Sequence, residues 1–274
     1  MLGVALGALV LVPGGGAAQE APAPNARVPR DAPALARALN RTTTDLHAAI
    51  DVWRIEGDPS KPGTPTEVTL NALYQQRLYL FAGRRPRLAA KVLPRLRGAA
   101  RGEGRDILGA RRAIERLNGP TRRVRFRTGR ALPPDALKRL YVRAERRFGV
   151  GWEVLAAVNF VETGFNRLRN NSSAGAQGPM QFIPSTWRAY GMGGNVRDPR
   201  DAIMGAANYL RASGARRDIR RALFAYNPSS LYVRAVSNYA RRIRRRPQAF
   251  YALHSWQVFV RTTRGLRRLT GPGR

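Results

Sequence analysis

The sequence predicts a mainly α-helical protein in two parts, a helical N-terminal region over 31–120 and a second helical domain over 132–254. Three observations carry this. Apolar residues recur at helical spacing, as in Leu35, Leu39, Leu46, Ile50 and Trp53. The breaks fall on tight clusters of Gly, Pro and Asn: Gly57–Thr66, Asn118-Gly119-Pro120 and Pro133-Pro134. A chain of 274 residues with 43% apolar content is long enough to bury a substantial core.

Taken in order, Leu2 to Val12 is an apolar run too short to span a bilayer comfortably. Gly14–Ala18 follows and ends Gly-Ala-Ala, which suits signal-peptide cleavage after residue 18, although no Lys or Arg precedes the run. Residues 1–18 are therefore expected to be a signal peptide, and the Ala- and Pro-rich residues 19–30 a linker. Helices are expected from Asp31 to Trp53, Val68 to Ala82, Leu88 to Leu96 and Ile107 to Leu117, with arginines on their polar sides. Asp135 stands where a first-turn acid belongs, opening a helix that runs to Phe148. Helices are also expected over Trp152–Thr163, from Pro184 to Gly191, over Ala202–Leu210, up to Tyr226 and over Leu231–Arg246. Trp256 to Val260 resembles a short strand within a basic C-terminal tail, 255–274.

The formal net charge is +32, and only three of the 49 basic residues are lysine. A GC-rich genome, which favours Arg codons, is one explanation for Arg over Lys, but it does not readily explain the net charge, which implies an anionic partner. There is no cysteine, which excludes disulfides, thiolate metal sites and thiol nucleophiles, and only two histidines, His47 and His254. A multi-histidine metal centre is therefore not expected.

The informative stretch is Gly149 to Phe182. Leu155 and Val158 precede Glu162 by seven and four residues and share its helix face. Burial there raises a carboxyl pKa, so Glu162 can stay protonated near neutrality and serve as a general acid. Gly164 supplies a left-handed helix end, and Phe165 is placed to fold back over the acid. Spacing alone leaves open a structural glutamate paired with an arginine. The loop Asn170–Ser173 and Gly175–Gly178 offers amides, hydroxyls and bare backbone suited to a sugar. Trp187 and Tyr190 share a face and are either sugar-stacking or core.

Three segments carry a family resemblance: Glu162-Thr163-Gly164-Phe165, Gly178-Pro179-Met180-Gln181-Phe182 and Ala225-Tyr226-Asn227. In order and spacing, from about Pro134 to Arg246, the chain resembles the lytic transglycosylases, lysozyme-like enzymes that cleave peptidoglycan, in particular the secreted Gram-positive type. Thr163 stands where that family usually has Ser, and Pro228, Ser229 and Ser230 follow Asn227. The resemblance implies a lysozyme-like fold for 132–254. It implies Glu162 as acid and then base in forming a 1,6-anhydromuramyl end, with Thr163, Ser173, Gly178, Met180, Gln181, Phe182, Tyr226 and Asn227 as substrate-binding residues. Gln181 should bond an N-acetyl group, and Tyr226 should orient Glu162 or contact substrate. Some relatives carry a calcium loop of alternating Asp residues. Gly191–Asp198 reads GMGGNVRD and lacks that pattern, so neither metal nor other cofactor is expected.

Ordinary glycosidases use two carboxylates. After Glu162 only Asp198, Asp201 and Asp218 remain, each at a helix start where an acid has a capping role. This fits the one-carboxylate reaction that the resemblance implies, although Glu145 and Glu153 lie just upstream. With the resemblance, the reading is an enzyme acting on peptidoglycan glycan strands, secreted and associated with the wall, with anionic wall polymers as further partners. It is not expected to be an integral membrane protein, and no specific nucleic-acid motif is present. The alternatives are a hydrolytic muramidase on the same scaffold and a non-catalytic wall-binding protein.

Overall fold

The computed structural model describes residues 20–122 and 125–273. The expected signal peptide, 1–18, lies outside the described residues. Eleven α-helices and one two-stranded hairpin make up the described fold. The N-terminal helices are α1 (Ala32–Glu56), α2 (Thr66–Gly83), α3 (Pro86–Val92) and α4 (Gly98–Leu117), with a 3₁₀ turn at Leu93–Arg95. Then come α5 (Pro134–Phe148), α6 (Trp152–Thr163), α7 (Pro184–Tyr190), α8 (Pro199–Ala212), α9 (Ile219–Tyr226), α10 (Ser230–Arg245) and α11 (Pro247–Ser255). Strands β1 (Phe259–Thr262) and β2 (Gly265–Arg268) pair antiparallel, with Phe259 opposite Arg268.

Local chemistry sets the helix ends. Asp31, Asp198 and Asp218 each accept hydrogen bonds from first-turn amides of α1, α8 and α9. Asp201 accepts from the Asn195 amide at 2.8 Å, so all three downstream aspartates serve structure, as their positions predict. Leu93-Pro94 shortens the helix expected over 88–96, because Pro94 has no amide to continue the ladder.

α6 is apolar on nearly every side and is covered accordingly. Leu155, Ala156, Ala157 and Val158 are fully buried. Burying a Leu or Val side chain contributes about 1.5–3 kcal/mol, so this helix is fixed in place by its surroundings rather than by propensity. α10 is packed between α6 and α4, which joins the N-terminal helices and the second domain through one continuous apolar core.

Arg241–Arg246 reads as a solvated basic face, but the fold uses it differently. Arg242 is 3% exposed and meets Glu103 of α4 at 2.8 Å. Arg241 pairs with Asp106 at 2.7 Å, and Nε of Arg244 donates to Glu153 at 2.7 Å. The last turn of α10 is thus bound to two other helices. Of these only Arg242 is drawn inside, where a charge persists only when paired; Arg241 and Arg244 stay exposed and reach their carboxylates from the surface.

The residues read as a C-terminal tail also fold back. Trp256 is 2% exposed, and its indole lies against Gln75 of α2, while the Gln257 backbone exchanges hydrogen bonds with the Gln76 side chain. The strand accordingly starts at Phe259, later than the pattern suggests, because the core claims Trp256 first.

Candidate active site

Glu162 is the last residue but one of α6. Gly164 ends the helix in the left-handed region, at φ 59, and returns its amide to Asn159 and Phe160. Phe165 and Asn166 continue at positive φ, 62 and 65, which turns the Phe165 ring away from the acid. It packs against Phe160, Phe250 and His254 in the core, so the expected cover over Glu162 is not formed.

The carboxyl group is partly buried and makes no ion pair among the described residues. Its hydrogen bond comes from the Tyr232 hydroxyl, which donates to Oε1 at 2.7 Å. Burial pushes the Glu162 pKa up to about 7, and the Tyr232 hydrogen bond partly opposes that rise.

Tyr232 is the residue that sequence reading missed. It lies on α10, 1% exposed, and its ring stacks parallel on Tyr226 at 6.4 Å. Tyr226, expected to orient Glu162 or touch substrate, instead donates to the Met180 carbonyl at 2.6 Å. The two tyrosines flank the Asn227-Pro228 turn between α9 and α10. The family resemblance points to Tyr226, whereas the apolar face of α10 gives Tyr232 the pattern of an ordinary core residue.

A buried network clamps the second motif onto α6. The Pro179 carbonyl accepts from the Asn159 amide and from the Thr163 hydroxyl, both at 2.8 Å, and Tyr141 donates to Asn159 at 2.6 Å. Thr163 also accepts from the Asn166 amide at 2.9 Å. Its hydroxyl is therefore occupied in holding the loop. The turn itself closes between Gln177 and Phe182, whose backbones exchange hydrogen bonds at 2.9 and 2.8 Å. Gly178 sits at φ 73, and a Cβ there would lie 1.8 Å from the Val196 carbonyl, so no other residue fits.

Glu162 opens into a cleft of about 590 Å³. Of the sequence-predicted residues, Thr163, Ser173 and Gln181 line it with Glu162. Gln181 donates to the Gly178 carbonyl at 2.9 Å, which fixes its side chain. Met180 and Phe182 are buried behind the wall, with Phe182 packed on Trp187 at 5.0 Å. Trp187 closes over Gly191 and Gly205, a core role. Asn227 caps α9 through its backbone. Met180, Phe182 and Asn227 thus shape the site from behind the cleft surface.

Another part of the lining comes from distant segments, the end of α4 and the hairpin. There Glu115 lies between Arg111 and Arg261, 3.3 Å from each. Sequence reading missed this carboxylate too, because it precedes Glu162 by a whole region and has the pattern of a helix-surface charge.

Residues 139–246 match the family model of the Transglycosylase SLT domain. The chain carries an SLT transglycosylase domain. That domain is lysozyme-like and all-α, and it belongs to peptidoglycan lytic transglycosylases, whose substrate is the cell wall. No solved structure matches the chain. The SLT match includes Glu162, the Gly178–Phe182 turn and both stacked tyrosines, while Arg111, Glu115 and Arg261 lie outside it. No described helix is long and apolar enough to cross a membrane.

Proposed function

We propose that the SLT domain cleaves the β-1,4 bond between N-acetylmuramic acid and N-acetylglucosamine and leaves a 1,6-anhydromuramyl end, with Glu162 as acid and then base. The observation that carries this reading is a partly buried carboxyl group, without an ion pair, whose pKa is pushed up to about 7. Such a group holds a proton near neutrality and gives it up readily, which is what a residue acting in both directions needs.

Tyr232 holds Oε1, which leaves Oε2 to carry the proton to the glycosidic oxygen. As the C1–O bond breaks, the sugar gains oxocarbenium character, and the new carboxylate is stabilised by the Tyr232 hydroxyl. The carboxylate then takes the proton from the C6 hydroxyl while O6 bonds to C1. No water is consumed. Gln181 and Ser173 face the same cleft and are the side chains best placed to bind the acetamido and hydroxyl groups of the sugar. The enzyme would act outside the cytoplasmic membrane, as a secreted protein held near anionic wall polymers by its +32 charge.

Purified wall is digested with the wild type and with Glu162→Gln, and the products are weighed. Anhydro ends from the wild type and a loss of about 10²–10⁴-fold in the variant are expected. One observation favours a second reading, hydrolysis: Glu115 gives the cleft another carboxylate, and reducing ends would assign it the role of base.

A further inference from the structure

A second pocket, of about 600 Å³, lies beside the cleft and shares Gln257 with its lining. Three segments meet there and each brings a cation: Lys61 from the loop after α1, Arg130 from the segment before α5, and Arg167 from the turn after α6. Among the described residues no carboxylate lines it. Asp58 stands outside the lining, exposed and 3.5 Å from Lys61.

Arg167 sets this pocket apart from the rest of a basic protein. An exposed arginine needs no partner, and this chain has many. Arg167 is partly buried, and desolvation pulls its pKa down to about 10. Its guanidinium donates to the Gly164 carbonyl at 3.1 Å and forms no ion pair among the described residues. Arg242 and Arg111 differ: Arg242 meets Glu103, and Arg111 meets Glu115, whereas Arg77, like Arg167, is held by backbone carbonyls. His254 also lines the pocket, 4% exposed. Its Nε2 lies 2.9 Å from the Leu132 carbonyl, and its Nδ1 has no partner among the described residues. Burial and the Arg167 charge keep its pKa down at about 3, so it stays neutral, with the Nε2 proton on Leu132 and an acceptor lone pair at Nδ1.

We propose that this pocket, built by Lys61, Arg130, Arg167 and the Nδ1 side of His254, is a binding site for a phosphate group. A planar guanidinium and a point-charge ammonium together suit a tetrahedral oxyanion. Three cations match the charge of a phosphate better than that of a single carboxylate, and a protonated phosphate oxygen can donate where a carboxylate cannot. The site does not depend on the reaction assigned to the cleft.

The chain's two histidines give the test its probe. Side-chain NMR follows His254 and His47 while inorganic phosphate, and separately glycerol phosphate, is added to the full chain. His47 is the internal control, because it sits beside Glu103 and outside this pocket. Saturable shifts confined to His254 are expected, weakened about ten- to hundredfold by Arg167→Gln. Lys61→Gln and Arg130→Gln change exposed residues that a folded chain tolerates, and each should weaken binding several-fold. Saturation by glycerol phosphate alone identifies a phosphate ester as the ligand, and saturation by both admits the free ion. Non-saturating shifts, equal movement of both histidines, or indifference to the two exposed variants would overturn the proposal in favour of diffuse counter-ion binding.

Discussion

In one part of the cleft lining Glu162 stands among apolar and aromatic side chains, with Tyr232 as its hydrogen-bond partner. In another, Glu115 sits between two guanidinium groups. The same functional group is thus held in two opposite ways. Desolvation makes the first reluctant to ionise, whereas the second is held by ion pairs with Arg111 and Arg261. The first wall lies inside the SLT match and the second outside it. The contrast teaches that a carboxylate's place in a cleft does not define its chemistry; its neighbours do.

The largest effect is expected where the two regions are joined. Arg242→Met leaves Glu103 buried without its guanidinium and should cost about 3 kcal/mol, read as a lower denaturant midpoint. The wild type should unfold in one transition if α4 and α10 form one cooperative unit, and two separate transitions would show that the walls are independent.

Next comes a stability effect of opposite sign at Glu162. Its folded pKa of about 7 lies above the ordinary value of 4.5. Between those values the folded chain binds more protons than the unfolded one, so the group's contribution falls as pH rises through that window. At pH 8 the buried charge costs up to about 3 kcal/mol. Glu162→Gln should therefore melt higher than wild type at pH 8, with the two converging near pH 4. An equal difference at both pH values would remove desolvation as the cause.

Tyr232→Phe comes third. Losing a donor to the carboxylate raises the Glu162 pKa further, so the alkaline fall in wall cleavage, expected near pH 7, should move upward. A drop of about tenfold in rate should accompany it, since one charge-assisted hydrogen bond is lost. A tenfold loss with an unmoved pH profile would mean that Tyr232 supports only packing.

The smallest effect is expected at Glu115. If Glu162 works alone, Glu115→Gln should lower wall cleavage by less than about fivefold, in keeping with the loss of two partly exposed ion pairs. A loss equal to that of Glu162→Gln, in a variant with unchanged melting temperature, would make the two walls chemical partners and favour hydrolysis.

Legibility in the sequence follows distance along the chain. The Glu162 helix, its Gly164 stop and the Gly178–Phe182 turn are local features, each written within a few residues. The capping aspartates are legible for the same reason. Tyr232 is not, because its partner lies 70 residues away and its own helix pattern marks it only as apolar. Thr163 and Tyr226 stand out in the family motifs, yet their hydroxyls turn to Pro179 and Met180, carbonyls that no pattern connects to them.

The sequence by itself determined the helices, their ends, the acid on an apolar face and the glycine-led turn of the Gly178–Phe182 motif. Short-range sterics and periodicity suffice for these. Only the tertiary structure decided which hydroxyl reaches Glu162, that Arg242 at the end of α10 is paired inside, and that α4 and the C-terminal hairpin complete the cleft. Those outcomes depend on which buried groups meet once the core closes, and solvation energy settles that only in three dimensions.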